Sequence, residues 1–355
     1  MKKLLCLVCA VLMFCTTFTA CTHKCDHDWE TVTVAPTCSA VGYDTMTCKL
    51  CGEIVITNET ARLDHTTDAI YCFDDADHWY SCTVCDAVVD KVSHTPDGEG
   101  VCTVCQIPTS VTPGIIYEIS QDGTYADVIG YEGTAAKLRI AKEYNGVPVR
   151  NIRARAFLDN ETITSVAIPD SVTYIGEYAF ARCPNLLSVV ISDGVTFIGE
   201  GAFASSGLTS VVIPDSVTTL GYVAFFGCKD LTSAVVGDGV VCLNSTFGCC
   251  SNLASVVIGD SVDSIQGSSF LSCVSLTSIV IPEGVRHVWD GAFHNCSNLE
   301  SITLPNSLEK IWDGAFDDCG NIAHVYYNGP KPAMVKKAFR YARSVTFHFG
   351  EAAAE

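Results

Sequence analysis

From residue 150 onward, apolar and polar positions alternate in short bursts that return with a fixed period. Leu276-Thr277-Ser278-Ile279-Val280-Ile281-Pro282 is one such burst. Leu276, Ile279 and Ile281 keep the spacing LxxLxL, which turns alternate side chains of a short strand inward. A phenylalanine holds the register between bursts. Phe157, Phe180, Phe203, Phe225, Phe247, Phe270, Phe293, Phe316 and Phe339 follow one another at steps of 23 or 22 residues. One short strand per period of that length predicts a solenoid of stacked coils, because a single coil cannot bury its own apolar side. The unit is clearest from Ile168 to Phe180 and returns at Ile213 to Phe225 and Ile281 to Phe293. The 22-residue steps read as single deletions in turns, at Ser205-Ser206-Gly207 and near Asn244, which leave the register intact.

The residues between the inward positions are expected to face outward. Reading them off gives Ala167, Val190, Val212, Val235, Val257, Val280 and Thr303, ending at Tyr326, with a polar row of Ser165, Ser188, Ser210, Ser233, Ser255, Ser278 and Ser301 beside them. An apolar stripe of that length is more than a soluble monomer usually leaves uncovered, and it marks a candidate protein-binding face. β-propensity and repeat duplication alone would also place valine there. Tyr174, Phe197 and His287 mark a second flank. Nearby, Trp289 and Trp312 replace a glycine in consecutive coils, each followed by Asp and Gly. They should stack on one another, either as a platform for a sugar ring or as packing that closes the end of the solenoid.

These repeats resemble those of the BspA-type leucine-rich-repeat surface proteins, which read roughly LTSIxIPxSVTxIGxxAFxxC. The resemblance covers about residues 114 to 330. It implies a β-rich solenoid of leucine-rich repeats over 150–322. A β-rich N-terminal cap would cover 114–149, containing Tyr117-Glu118-Ile119 and Tyr144 to Val149, and a C-terminal cap and tail would cover 323–355. It also implies a surface protein that binds an extracellular protein of a host or a neighbouring cell.

Cys183, Cys228, Cys250, Cys273, Cys296 and Cys319 each stand three residues after a repeat phenylalanine. Equivalent residues of stacked coils lie about 4.8 Å apart with parallel Cα to Cβ vectors, whereas a disulfide needs Cβ atoms converging to roughly 3.8 Å. Buried, inert thiols are therefore expected there rather than a disulfide ladder.

The chain opens with Lys2-Lys3 and an apolar run from Leu4 to Ala20, which is too short for a stop-transfer span and reads as a secretory signal over 1–20. Phe18-Thr19-Ala20-Cys21 resembles a bacterial lipobox, with Phe18 where Leu is usual. That resemblance implies lipidation of Cys21 and a membrane-anchored, cell-surface lipoprotein; ordinary signal peptidase cleavage after Ala20 is the alternative. The net charge of −19, with no basic cluster left after residue 3, argues against nucleic acid as a partner.

Residues 21–105 carry a different chemistry. Cys48-Lys49-Leu50-Cys51, Cys82-Thr83-Val84-Cys85 and Cys102-Thr103-Val104-Cys105 alternate with histidines at 27, 65, 78 and 94. Thiolates of a CxxC turn converge on one point, and a histidine some ten residues away can complete a tetrahedral zinc site. His78, Cys82, Cys85 and His94 form one candidate set. Cys48, Cys51 and His65 form another, joined by Cys38 or His27. The segment resembles small zinc-ribbon-like modules, although Asp86 stands where their glycine is usual. Structural zinc is the expected cofactor, since units this small need a metal or covalent staple. Disulfides are the alternative in an oxidising location. Residues 106–113, with two prolines, read as a linker.

No P-loop, GxSxG, HExxH or dinucleotide fingerprint occurs, so an enzyme is not expected. Protein binding, a passive envelope spacer and glycan binding are the three readings left open.

Overall fold

The computed structural model describes six strands between residues 29 and 93, Thr95, and residues 110–349 apart from 328, 331 and 340–344. The first three strands, Trp29–Val34, Gly42–Cys48 and Ile54–Thr60, form an antiparallel meander. Thr67–Phe73, Asp77–Cys82 and Val88–Ser93 form a second three-stranded sheet.

From Ile115 the chain builds a solenoid whose coils repeat the period read above. Each coil contributes one strand of three or four residues to a parallel main sheet. Ser165–Ile168 pairs with Ser188–Ile191, Ser210–Ile213 with Ser233–Val236 and Ser255–Ile258, and Ser278–Val280 with Ser301–Leu304 and His324–Tyr327. The register places serine on serine and valine on valine in successive coils, for instance Ser233 beside Ser255 and Val235 beside Val257. A second, narrower ladder runs along another side through two-residue strands. Tyr174–Ile175, Phe197–Ile198 and Thr219–Leu220 form one stretch, and Cys242–Leu243, Ser264–Ile265, His287–Val288 and Lys310–Ile311 form the next.

The third side has no strands but is held as regularly. The N–H groups of Tyr178, Phe180 and Arg182 donate to the carbonyls of Glu200, Ala202 and Ala204 one coil on, at 2.8, 2.7 and 2.8 Å. The geometry comes from left-handed residues two before and two after the phenylalanine: Tyr178 and Arg182 at φ 55° and 54°, and Ser268 and Ser272 at 62° and 56° around Phe270. Non-glycine residues adopt that conformation at a cost, and here each one frees an N–H for the neighbouring coil.

Between these three sides lies the core. The phenylalanine rings from Phe157 to Phe339 stack in an unbroken column, with centroids 4.4 to 5.8 Å apart. The six cysteines are buried free thiols, as their spacing predicts. They are also donors: Cys183, Cys250 and Cys296 point their Sγ at the carbonyls of Phe157, Phe225 and Phe270 in the preceding coil, at 3.1, 3.2 and 3.0 Å. Burial pushes the Cys183 thiol up to about 11 and that of Cys273 up to about 12.

At the N-terminal end, Ile115–Ile119 and Ala126–Tyr131 form a hairpin that joins the second ladder through Val147–Ile152. At the other end the chain departs from the repeat but not from the sheet. His324–Tyr327 continues it, a short helix at Pro332–Ala338 follows, and Thr346–Phe349 adds the last parallel strand.

Candidate interaction face

The outer face of the main sheet is a two-column surface. Inward side chains such as Val211 and Ile213 are buried, and the alternate positions Val190, Val212, Val235 and Thr303 are half-buried. Val257 and Val280 are 55% and 64% exposed, the most open of the row. They flank a join at which the strands Ser255–Ile258 and Ser278–Val280 fall into separate ladders. Ala167 and Ser165 depart from the sequence expectation, being only 2% and 6% exposed. They are small residues in register beside Arg139 and Lys137 of the preceding strand, whose longer side chains stand in the same columns. The open stripe therefore begins at Val190. Through Ile281 every residue of these strands, and the one before each, is Ser, Thr, Ala, Leu, Ile or Val, so this face carries no charge until Glu300.

The second ladder presents larger side chains. Tyr174 and Phe197 stack at 4.6 Å. Further along, Trp289 and Trp312 stack face to face at 4.1 Å and 11°, in the arrangement their spacing predicts. Lys310 Nζ lies 3.9 Å from the Trp312 centroid, which with Trp289 already on one face puts it over the other. Trp289 Nε1 donates to Ser264 Oγ at 2.9 Å. Trp312 is thus enclosed between a ring and a cation, while Trp289, 39% exposed, keeps an outer face. At Gly176, Gly199 and Gly221 this corner is glycine because the coils approach closely there, and a Cβ on Gly176 or Gly221 would meet backbone atoms of the preceding coil at 2.4 Å; the next two coils place Asn244 and Gln266 at it. A groove near the N-terminal end, lined by Asp127, Asn151, Arg153, Ala154 and Tyr174, has its carboxylate fully engaged. Asn151 and Arg153 each donate to one Asp127 oxygen at 2.7 Å, which makes the trio a structural clasp.

Of the expected metal ligands, Cys38, Cys51, His65, Cys85 and His94, with the alternative His27, lie outside the described residues, as does Cys21. Cys48 and Cys82 are the last residues of their strands and His78 is the second of its own, so the first two CxxC pairs begin where a strand ends, and Cys102 and Cys105 of the third lie outside the described residues. Sequence reasoning missed the second ladder and the thiol donors. A recurring Tyr-Ile, Phe-Ile, His-Val or Lys-Ile pair before the corner was the available signal.

The chain belongs to the BspA-type leucine-rich-repeat family. The model of the BspA type leucine rich repeat region matches residues 150–273 and 242–346, more than half of the chain. Among solved structures it is similar to a leucine-rich repeat protein from Bacteroides ovatus, with 23% identity over 69% of this chain and 79% of that one and a TM-score of 0.42. It is also similar to a leucine rich cell surface protein from Faecalibacterium prausnitzii, with 22% identity over 63% and 95% and a TM-score of 0.30. A leucine-rich repeat protein from Eubacterium ventriosum is 25% identical over 62% and 55%, with a TM-score of 0.44. No curated protein matches.

Proposed function

We propose that the chain is a cell-surface lipoprotein that binds an extracellular protein through the outer face of its main sheet. The observation that carries this is the uncharged stripe. In a chain of net charge −19, five consecutive coils turn only Ser, Thr, Ala, Leu and Val outward along one sheet. Loss of charge at the centre of a patch distinguishes a protein interface better than bulk hydrophobicity does. In this reading Cys21 carries the diacylglycerol anchor, and residues 21–105 form zinc-stabilised modules between the anchor and the solenoid. Zinc would hold the fold of those modules and take part in no reaction.

Replacing Val212, Val235 and Val257 together with Lys tests the binding face on the full mature chain. The substitutions sit at half-buried or exposed positions, so each should cost less than about 1 kcal/mol. Binding to a panel of extracellular matrix proteins and to cells should be lost while the melting transition survives. Undiminished binding by the folded triple variant removes the main sheet as the interface. For the anchor, Cys21→Ser should move the protein from the detergent phase to the aqueous phase.

A further inference from the structure

We propose that His324 and His348 form a two-imidazole site for a borderline divalent cation, of the class of zinc, nickel or copper, at the C-terminal end of the main sheet's outer face. The strands His324–Tyr327 and Thr346–Phe349 run parallel, with His324 beside Thr346 and Tyr326 beside His348. The two histidines are therefore diagonal neighbours on the same outward side, ending the serine column and the valine column respectively. Their Nδ1 and Nε2 atoms approach to 3.2 Å. With metal–imidazole bonds of about 2.0–2.1 Å, that separation subtends about 100° at a shared cation, between the right angle of square-planar and the angle of tetrahedral coordination.

Neighbouring groups hold the pair in place. The Tyr326 ring stacks on the His348 imidazole at 4.4 Å and 15°, which fixes the plane of that ring. His324 is exposed and His348 half-buried, so a cation reaches the site from solvent without rearrangement. Without metal, the same two nitrogens share one proton as an imidazole–imidazole hydrogen bond. The cation takes the place of that proton and is bound by two neutral rings. Its remaining positions stay open to water or to an oxygen or nitrogen ligand from outside the chain, so the site is a weak one at which the cation exchanges.

The test is zinc titration of the mature full-length protein by calorimetry, comparing wild type with His324→Gln/His348→Gln. Any zinc taken by residues 21–105 is common to both proteins, and the wild type should take one equivalent more. His324→Gln alone, at an exposed position, should weaken that last equivalent at least about tenfold. Copper paramagnetic resonance should show one set of nitrogen couplings in the wild type beyond those of the double variant. Equal stoichiometry and affinity in wild type and variant, with equal melting temperatures, would overturn the proposal.

Discussion

Cys273 donates its thiol hydrogen to the carbonyl oxygen of Phe247, one coil back, across 3.2 Å. The same oxygen accepts the N–H of Cys250 at 3.2 Å, so the thiol supplies a second bond rather than the sole one. In the coil of Phe203, Ser206 takes the place, 3% exposed and 3.3 Å from Cys228 Sγ. Cys273→Ser should therefore cost less than Cys273→Ala, which loses the bond, worth about 1 kcal/mol, and opens a small void. Urea denaturation gives both values. A purely apolar filler would reverse the order.

Burial has a chemical corollary for these thiols. With Cys183 at about 11 and Cys273 at about 12, almost no thiolate exists at neutral pH to react. Iodoacetamide applied to the native protein should leave both unmodified in peptide mass mapping, and denaturant should expose them. Labelling of Cys273 in the folded state would contradict the buried placement.

The phenylalanine column makes position within the stack matter. Phe225 lies between Phe203 at 5.2 Å and Phe247 at 5.8 Å, and Phe225→Ala should cost about 3–5 kcal/mol. Among the described residues Phe339 stacks on Phe316 alone, at 4.4 Å, with Phe347 meeting it edge-on. Phe339→Ala should cost less and fray only the terminal coils, which hydrogen exchange would localise.

Val223 has a φ of 53°, the left-handed region in which a β-branched side chain is most strained. The equivalent residues of other coils include Gly201 and Gly291. Val223→Gly should raise stability by about 1 kcal/mol, since glycine adopts this backbone without steric cost. A fall in melting temperature would mean that the half-buried isopropyl group contributes more than the strain removes.

Enclosed between Trp289 and Lys310, Trp312 holds the corner of the last coils, and Trp312→Ala should destabilise by about 2 kcal/mol. Trp289 keeps one exposed face, so replacing both rings with Gly also tests glycan binding. A sugar signal on an array that survives the double replacement would clear the pair of that role.

The period, the inward LxxLxL residues and the buried cysteines were legible because each follows from a strong local pattern repeated many times. The second ladder was not, because strands such as Tyr174–Ile175 and Phe197–Ile198 are two residues long and too short to show alternation. The paired tryptophans were legible from their 23-residue spacing, but the lysine over Trp312 was not, since residues two apart on a strand give no sign of a ring–cation contact. The burial of Ala167 escaped for a related reason: it depends on Arg139, in a segment that does not follow the repeat.

The wall built from left-handed residues makes its bonds from one main chain to the next, and its side chains take no part in those bonds. Tyr178, Ser205, Val223, Cys249 and Asn295 all serve at its left-handed positions. Its side chains form a separate layer of contacts, in which Arg182 pairs with Asp159, Tyr178 with Glu200 and Asn295 with Ser272 of adjacent coils. A whole coil could be duplicated or lost there without breaking the main-chain ladder, so length can drift along this wall while the side-chain pairs on it re-form around the change.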